Sequence, residues 1–200
     1  MSNVFTNHLA SAQSNKFSDN LKFGIKGGFN WTSSNDEDRV QDNKVSPRPG
    51  LHIRGLVNYY LTGKWALQPE VTYSKEGAKY DFPGSATIAK YEGKTDISFV
   101  NLPILVQYMI LPAFRVQKGP QFGYATSIKY EDPYNEETDK EDIQKGNFSW
   151  SIGFEYITKF GFSFNARYNA GFSNMYKEGY YSGQAARTRA GQFGFFYLFK

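Results

Sequence analysis

The chain has 200 residues, enough for one domain with a sizeable core. With no Cys and two His, it excludes disulfides, Cys-ligated zinc, iron–sulfur clusters, thiol nucleophiles and a His-rich metal centre, and nothing in it implies a cofactor. Its 23 Lys and Arg against 19 Asp and Glu give a formal charge of +4, mixed along the chain and without the basic footprint of nucleic-acid binding.

Residues 1–20 read as an N-terminal tail outside the fold. Ala10-Ser11-Ala12 followed by Gln13 has the small-x-small form of a signal-peptidase site, so the stretch is either the end of a truncated signal peptide or an ordinary polar tail. Residues 21–200 form the second unit. No run of 18 or more apolar residues occurs in it, which excludes a transmembrane helix. The mean hydropathy of −0.57 does not bear on a wall whose residues alternate between lipid and lumen. An aromatic fraction of 18% with 19 Gly favours strands and tight turns.

Eight segments alternate with period two, the mark of strands with unlike faces. Residues 21–31 set Phe23, Ile25, Phe29 and Trp31 against Lys22, Lys26 and Asn30, and residues 51–59 set Leu51, Ile53, Val57 and Tyr59 against His52, Arg54 and Asn58. The third, from Trp65, sets Leu67, Val71 and Tyr73 against Gln68, Glu70 and Ser74. Its Pro69 donates no ladder bond and predicts a bulge or irregularity there. The fourth sets Val100, Leu102, Ile104, Val106 and Tyr108 against Asn101, Pro103, Leu105 and Gln107. In the fifth, Val116, Phe122 and Tyr124 oppose Arg115, Gln117 and Gln121, with Lys118 and Pro120 interrupting the dry face. The last three place Trp150, Ile152 and Phe154 against Ser151 and Glu155, Phe164 and Tyr168 against Asn165 and Arg167, and Phe193, Phe195, Tyr197 and Phe199 against Gln192 and Gly194.

The connections alternate in length. Long polar segments (32–49, 75–96, 129–146 and 173–187) follow the odd strands, and tight turns (61–64, 111–113 and 158–161) follow the second, fourth and sixth. All large loops therefore fall at one end, as in outer-membrane barrels. Aromatic residues gather near both strand ends, where ring side chains favour a membrane boundary. A strand of ~10 residues rising ~3.3 Å each and tilted ~40° covers the ~25 Å of an apolar band. The reading is an all-β, eight-stranded antiparallel up-and-down transmembrane β-barrel, monomeric, with both termini periplasmic and the long loops external.

With the apolar faces outward, the lumen holds Lys22, Lys26, His52, Arg54, Glu70, Arg115, Glu155 and Arg167. An eight-stranded barrel is just wide enough to be filled by such side chains, so they should form a paired plug and leave no aqueous channel. Basic groups outnumber the two carboxylates, so water, an anion or loop carboxylates should complete the pairing. Glycines in these strands are read as relieving crowding in the narrow lumen.

Three other readings compete with a plugged, non-enzymatic barrel. A lipid-modifying enzyme would need His52 as a base, but parity points it inward and nothing in the sequence places a Ser beside it. A soluble lipocalin-like ligand carrier, suggested by Gly28-Phe29-Asn30-Trp31, would have to expose the aromatics and bury the charges. A narrow channel would need an unfilled lumen. The acidic stretch Glu131, Asp132, Glu136, Glu137, Asp139, Glu141 and Asp142 lacks EF-hand spacing and reads as a solvated external loop.

Several stretches carry a family resemblance. Gly24-Ile25-Lys26-Gly27-Gly28-Phe29-Asn30, Leu67-Gln68-Pro69-Glu70 with Tyr73-Ser74 and Gly77, Asn101-Leu102-Pro103-Ile104-Leu105, Gly119-Pro120-Gln121-Phe122-Gly123, and Ala166-Arg167-Tyr168-Asn169 with Gly171 together resemble the PorT-like outer-membrane β-barrel family of Bacteroidetes. At the C-terminus Gln192, Gly194, Tyr197 and Phe199 look like the β-signal read by the barrel assembly machinery, with Lys200 departing from the commonest terminal Phe. The resemblance implies a porin-like location in a Gram-negative outer membrane, contact with outer-membrane lipid and lipopolysaccharide, and possible partnership with secretion-system components. It implies no catalytic residues.

Overall fold

The computed structural model describes residues 20–36, 44–82, 89–134, 136–138, 144–160, 162–174 and 186–199. The signal-peptidase-like motif and Asp139, Glu141 and Asp142 lie outside them. Nine strands run in chain order: β1 (Leu21–Asp36), β2 (Lys44–Tyr60), β3 (Trp65–Phe82), β4 (Tyr91–Leu111), β5 (Phe114–Glu131), β6 (Glu136–Thr138), β7 (Gly146–Ile157), β8 (Phe162–Gly171) and β9 (Ala186–Leu198). Eight of them make a closed antiparallel ring in the order β1-β2-β3-β4-β5-β7-β8-β9, with β9 returning to β1. The three residues of β6 only extend β5 at the long-loop end. Closure leaves the wall without an open edge, as a sheet surrounded by hydrocarbon requires. Phe199 N–H completes the seam by donating to Phe23 O at 2.8 Å.

Alternation sets the two faces. Phe23, Ile25, Ile53, Val71, Leu102, Ile104, Ile152, Phe164 and Phe195 are exposed on the outside, while Lys26, Arg54, Glu70, Glu155 and Arg167 are buried inside. An oily exterior around a charged interior is the reverse of a soluble ligand carrier. Rings pack along the outer wall where strands are neighbours, as in Phe162 with Tyr197 (6.1 Å between centroids) and Phe164 with Phe195 (5.2 Å) near the short turns. Trp31 with Phe193 (6.0 Å) and Phe148 with Phe172 (6.2 Å) do so towards the long loops.

The strands are longer than the sequence pattern predicts. Much of 32–49, 75–96 and 129–146, expected as loop, is strand, so β1 to β5 continue past the upper aromatic ring as a paired wall. Pro69 interrupts pairing without a bulge: the β2–β3 ladder skips from Leu56↔Glu70 to Tyr59↔Leu67 and keeps its register. The true register shift in β2 lies between Pro47 and His52, and a second separates Ser98 from Phe99 on β4.

Crowding by lumen side chains is one of two constraints on the strand glycines: at Gly123 a Cβ would meet the buried Asn101 Oδ1 at 2.3 Å. At Gly28 a Cβ would come within 2.0 Å of Phe193 O, and at Gly119 within 2.0 Å of Ile104 O. These two glycines instead admit a neighbouring strand's backbone.

Candidate functional site

Inward parity on six strands brings most of the expected lumen charges together. Glu70 on β3 is the hub. Arg167 from β8 forks onto it, Nη1 donating to Oε2 at 2.8 Å and Nη2 to Oε1 at 2.9 Å. Lys26 from β1 donates from Nζ to Glu70 Oε1 at 3.0 Å and also pairs with Glu155 of β7. Arg54 from β2 lies 3.7 Å from Glu70 Oε2 and donates to Gln192 of β9. In the ring β3 and β8 are four places apart, diametrically opposed, so the Glu70–Arg167 fork crosses the whole lumen.

Amides continue the network towards the short turns. Gln107 Nε2 donates to Glu155 Oε2 at 3.0 Å and Gln68 Nε2 to Glu155 Oε1 at 3.2 Å. Asn58 Nδ2 donates to Gln68 Oε1 at 2.7 Å and to Gln107 Oε1 at 2.6 Å. Arg115 stands at the lower edge, donating to Tyr60 Oη at 2.9 Å and to Gln107 Oε1 at 3.4 Å. Asn58, Gln68 and Gln107 lie on the wet face that parity assigns them, but the sequence counts only the charged groups as the network, and Tyr60 falls just past the strand it predicts. An uncharged amide carries no signal of its own until its face is known.

Two expectations are corrected. Lys22 keeps the inward parity but stands exposed at the lower mouth of the barrel, its Nζ 5.6 Å above the Tyr60 ring and outside the buried network. His52 does have a serine beside it, since Ser74 is its direct cross-strand partner. The Ser74 hydroxyl donates to Glu76 Oε1 at 2.5 Å, however, and His52 Nδ1 lies 3.1 Å from Asn30 Oδ1. All of these groups are buried inside the ring, away from the lipid-facing wall. Glu76 supplies a third lumen carboxylate that the sequence reading placed in a loop.

Above this polar layer the interior changes character. Ile97, Phe99, Ala125 and Ile128 form a buried apolar cluster, with Ala78 and Tyr80 also buried nearby. The spaces beside them are cavities of about 20 and 10 Å³, room for a single water at most.

The C-terminal residues fall on both faces. Gln192 joins the lumen network through Arg54, and Gly194 packs against β1, where a Cβ would meet Gly27 O at 2.6 Å. Tyr197 and Phe199 point outward, their rings 5.6 Å apart. Among the described residues no group of three His, Asp or Glu side chains is placed to hold a metal ion.

Comparison with known proteins agrees with this architecture. A family model described as outer membrane protein beta-barrel domain matches residues 11–177. A search of curated proteins finds no match. Among solved structures, Ail, the attachment invasion locus protein of Yersinia pestis, is 13% identical with a TM-score of 0.54, the match covering 89% of this chain and 98% of that one. Neisserial surface protein A is 10% identical with a TM-score of 0.55, covering 88% and 97%. A second structure of Ail, in complex with the heparin analogue sucrose octasulfate, is 12% identical with a TM-score of 0.52, covering 90% and 99%. At these identities the likeness concerns the fold alone. With its family model matched over most of its length and its oily wall closed around a charged interior, the chain belongs to the outer membrane protein beta-barrel domain family and resides in the outer membrane.

Proposed function

We propose that this protein is a non-enzymatic, monomeric outer-membrane barrel whose lumen is plugged by its own side chains and whose long-loop end faces outward, serving surface interaction or a secretion assembly. The observation that carries the reading is the fork from Arg167 to Glu70, joined by Lys26 and Arg54, which ties opposite walls together in the middle of the membrane. A hydrated path would have to break a buried, bidentate, charge-assisted contact. The apolar cluster around Phe99 is a second barrier to ions above it.

Planar-bilayer recording tests the plug. The expected trace is flat for the wild type, and stable conductance steps would contradict the reading. The motif resemblance supports a PorT-like role beside secretion-system components, and the C-terminal pattern of Gln192, Gly194, Tyr197 and Phe199 supports insertion by the barrel assembly machinery. Loss of secreted proteins on deletion of the chain, and failed insertion on Phe199→Ala, are the matching expectations.

One observation keeps the lipid-modifying alternative in view, the pairing of His52 with Ser74. Both side chains are enclosed, and the expected result is an unchanged lipid A and phospholipid acylation pattern in His52→Ala cells. A lost modification would favour the enzyme.

A further inference from the structure

On the outer wall, two recesses meet at Lys75 and Leu51, and their chemistry differs. The lower one, about 520 Å³, is apolar and centres on Gly27, an outward position with no side chain between its ladder partners Ile53 and Phe195. Phe29 and Tyr73 close its upper part. The higher one, about 460 Å³, lies above the aromatic ring, beside the register shift that the β2–β3 ladder makes between Pro47 and His52. At the shift Gly50 packs so closely on β3 that a Cβ would lie 1.9 Å from Lys75 O, and Asn30 Nδ2, from the lumen side, donates to the same oxygen at 2.7 Å.

Arg48, Lys75 and Lys129 line this upper cleft. Arg48 is paired with Asp96, whereas among the described residues neither Lys75 nor Lys129 has a carboxylate within ion-pair distance, Asp96 being the cross-strand neighbour of Lys129 but bonded to Arg48. Glu76 also lines the cleft, but its carboxylate is turned inward to Ser74. Higher up the wall, Lys94 is already neutralised by Glu131 at 2.8 Å. The cleft thus keeps a local excess of positive charge immediately above an apolar groove that lies in the hydrocarbon band. Cations held at this depth favour anionic headgroups.

We infer that the joined recesses form a binding site for one outer-leaflet lipid carrying a headgroup phosphate, its acyl chain in the Gly27 groove and its phosphate between Lys75 and Lys129. The inference rests on the outward orientation of the long loops proposed above and is independent of whether the lumen conducts. It deepens the expected contact with lipopolysaccharide by naming the place and the recognising groups.

The test uses the full chain in phosphatidylethanolamine nanodiscs doped with bis-phosphorylated lipid A, with the same lipid stripped of phosphate, and with inorganic phosphate as a soluble competitor, reading retained lipid by native mass spectrometry. Wild type should retain the phosphorylated lipid. K75Q/K129Q should weaken retention about tenfold, and Gly27→Leu, which fills the groove, should weaken it severalfold, both with unchanged heat-modifiable migration. Lys118→Gln, an outward lysine near the short turns, should change nothing. Equal retention of the dephosphorylated lipid, or unaltered retention by K75Q/K129Q, overturns the site. Displacement by inorganic phosphate, with Gly27→Leu silent, assigns the cleft to free anions and overturns the lipid. Biotinylation of a tag in the 129–146 segment on whole cells reads orientation separately. A tag hidden from the outside would refute the outer-leaflet assignment even if binding persisted.

Discussion

The two halves of the lumen obey opposite rules on the same strands. In the middle of the wall, inward Glu70, Arg167 and Lys26 are charged while outward Val71, Ile104 and Phe195 are oily. Beyond the upper aromatic ring, with one extra residue on β5 between Ala125 and Ser127, Ile97, Phe99 and Ile128 lie inside and Lys75, Lys79, Asp96 and Lys129 outside. The ladder shifts by one residue at this boundary on both β2 and β5 but stays continuous; it is the surroundings that change. Where the outside is hydrocarbon, polar side chains gather within, and where the outside is water, the barrel builds the small dry core of an ordinary soluble sheet. The molecule is a membrane barrel carrying a soluble-type collar.

The largest effect should come from the hub. Glu70→Ala leaves Lys26, Arg54 and Arg167 sharing a buried space with one fewer carboxylate, and should cost about 4 kcal/mol in urea unfolding from lipid vesicles. A loss under about 1 kcal/mol would mean that the charges rearrange freely and the polar layer is not a defined network. Next comes the outer face at membrane depth. Ile104→Arg should cost about 3 kcal/mol by the same measurement, the penalty of a cation near the bilayer midplane. In the collar the core behaves conventionally, and Ile128→Val should cost about 1 kcal/mol as one methylene is lost from a packed site. The smallest effect sharpens the comparison most: Glu92→Arg, outward on the same strand as Ile104 but in the collar, should stay within about 0.5 kcal/mol. Equal penalties for the two arginines would erase the distinction between the zones.

The sequence made the membrane zone legible and hid the collar, for a single physical reason. Between Leu21 and Trp31, or Phe162 and Phe172, one face is uniformly apolar, so period two stands out and the charged positions Lys26 and Arg167 can be placed from parity alone. From Lys75 to Asp96 the outward positions include Lys75, Lys79, Asp81, Glu92 and Lys94, and the inward ones include Ala78 and Tyr80. Stripped of its oily face, that stretch looks like a polar loop. Continuing the odd parity of Asn101 and Phe99 back through Ile97, Thr95 and Gly93 would have revealed β4. The Pro47 to His52 register break, and with it the cleft beside Lys75, depends on how β2 meets β3 and has no local signature. Ser74 beside His52 is likewise a product of cross-strand register.

Because the chain has no Cys, single nitroxide labels can be placed without background, and they test the two-zone account most directly. Labels replacing Ile104 and Tyr168 on the outer wall should be accessible to oxygen and shielded from a water-soluble relaxation agent, while a label at Lys79, on the same outer face, should show the opposite. Water at Ile104 and Tyr168, or hydrocarbon at Lys79, would contradict the account.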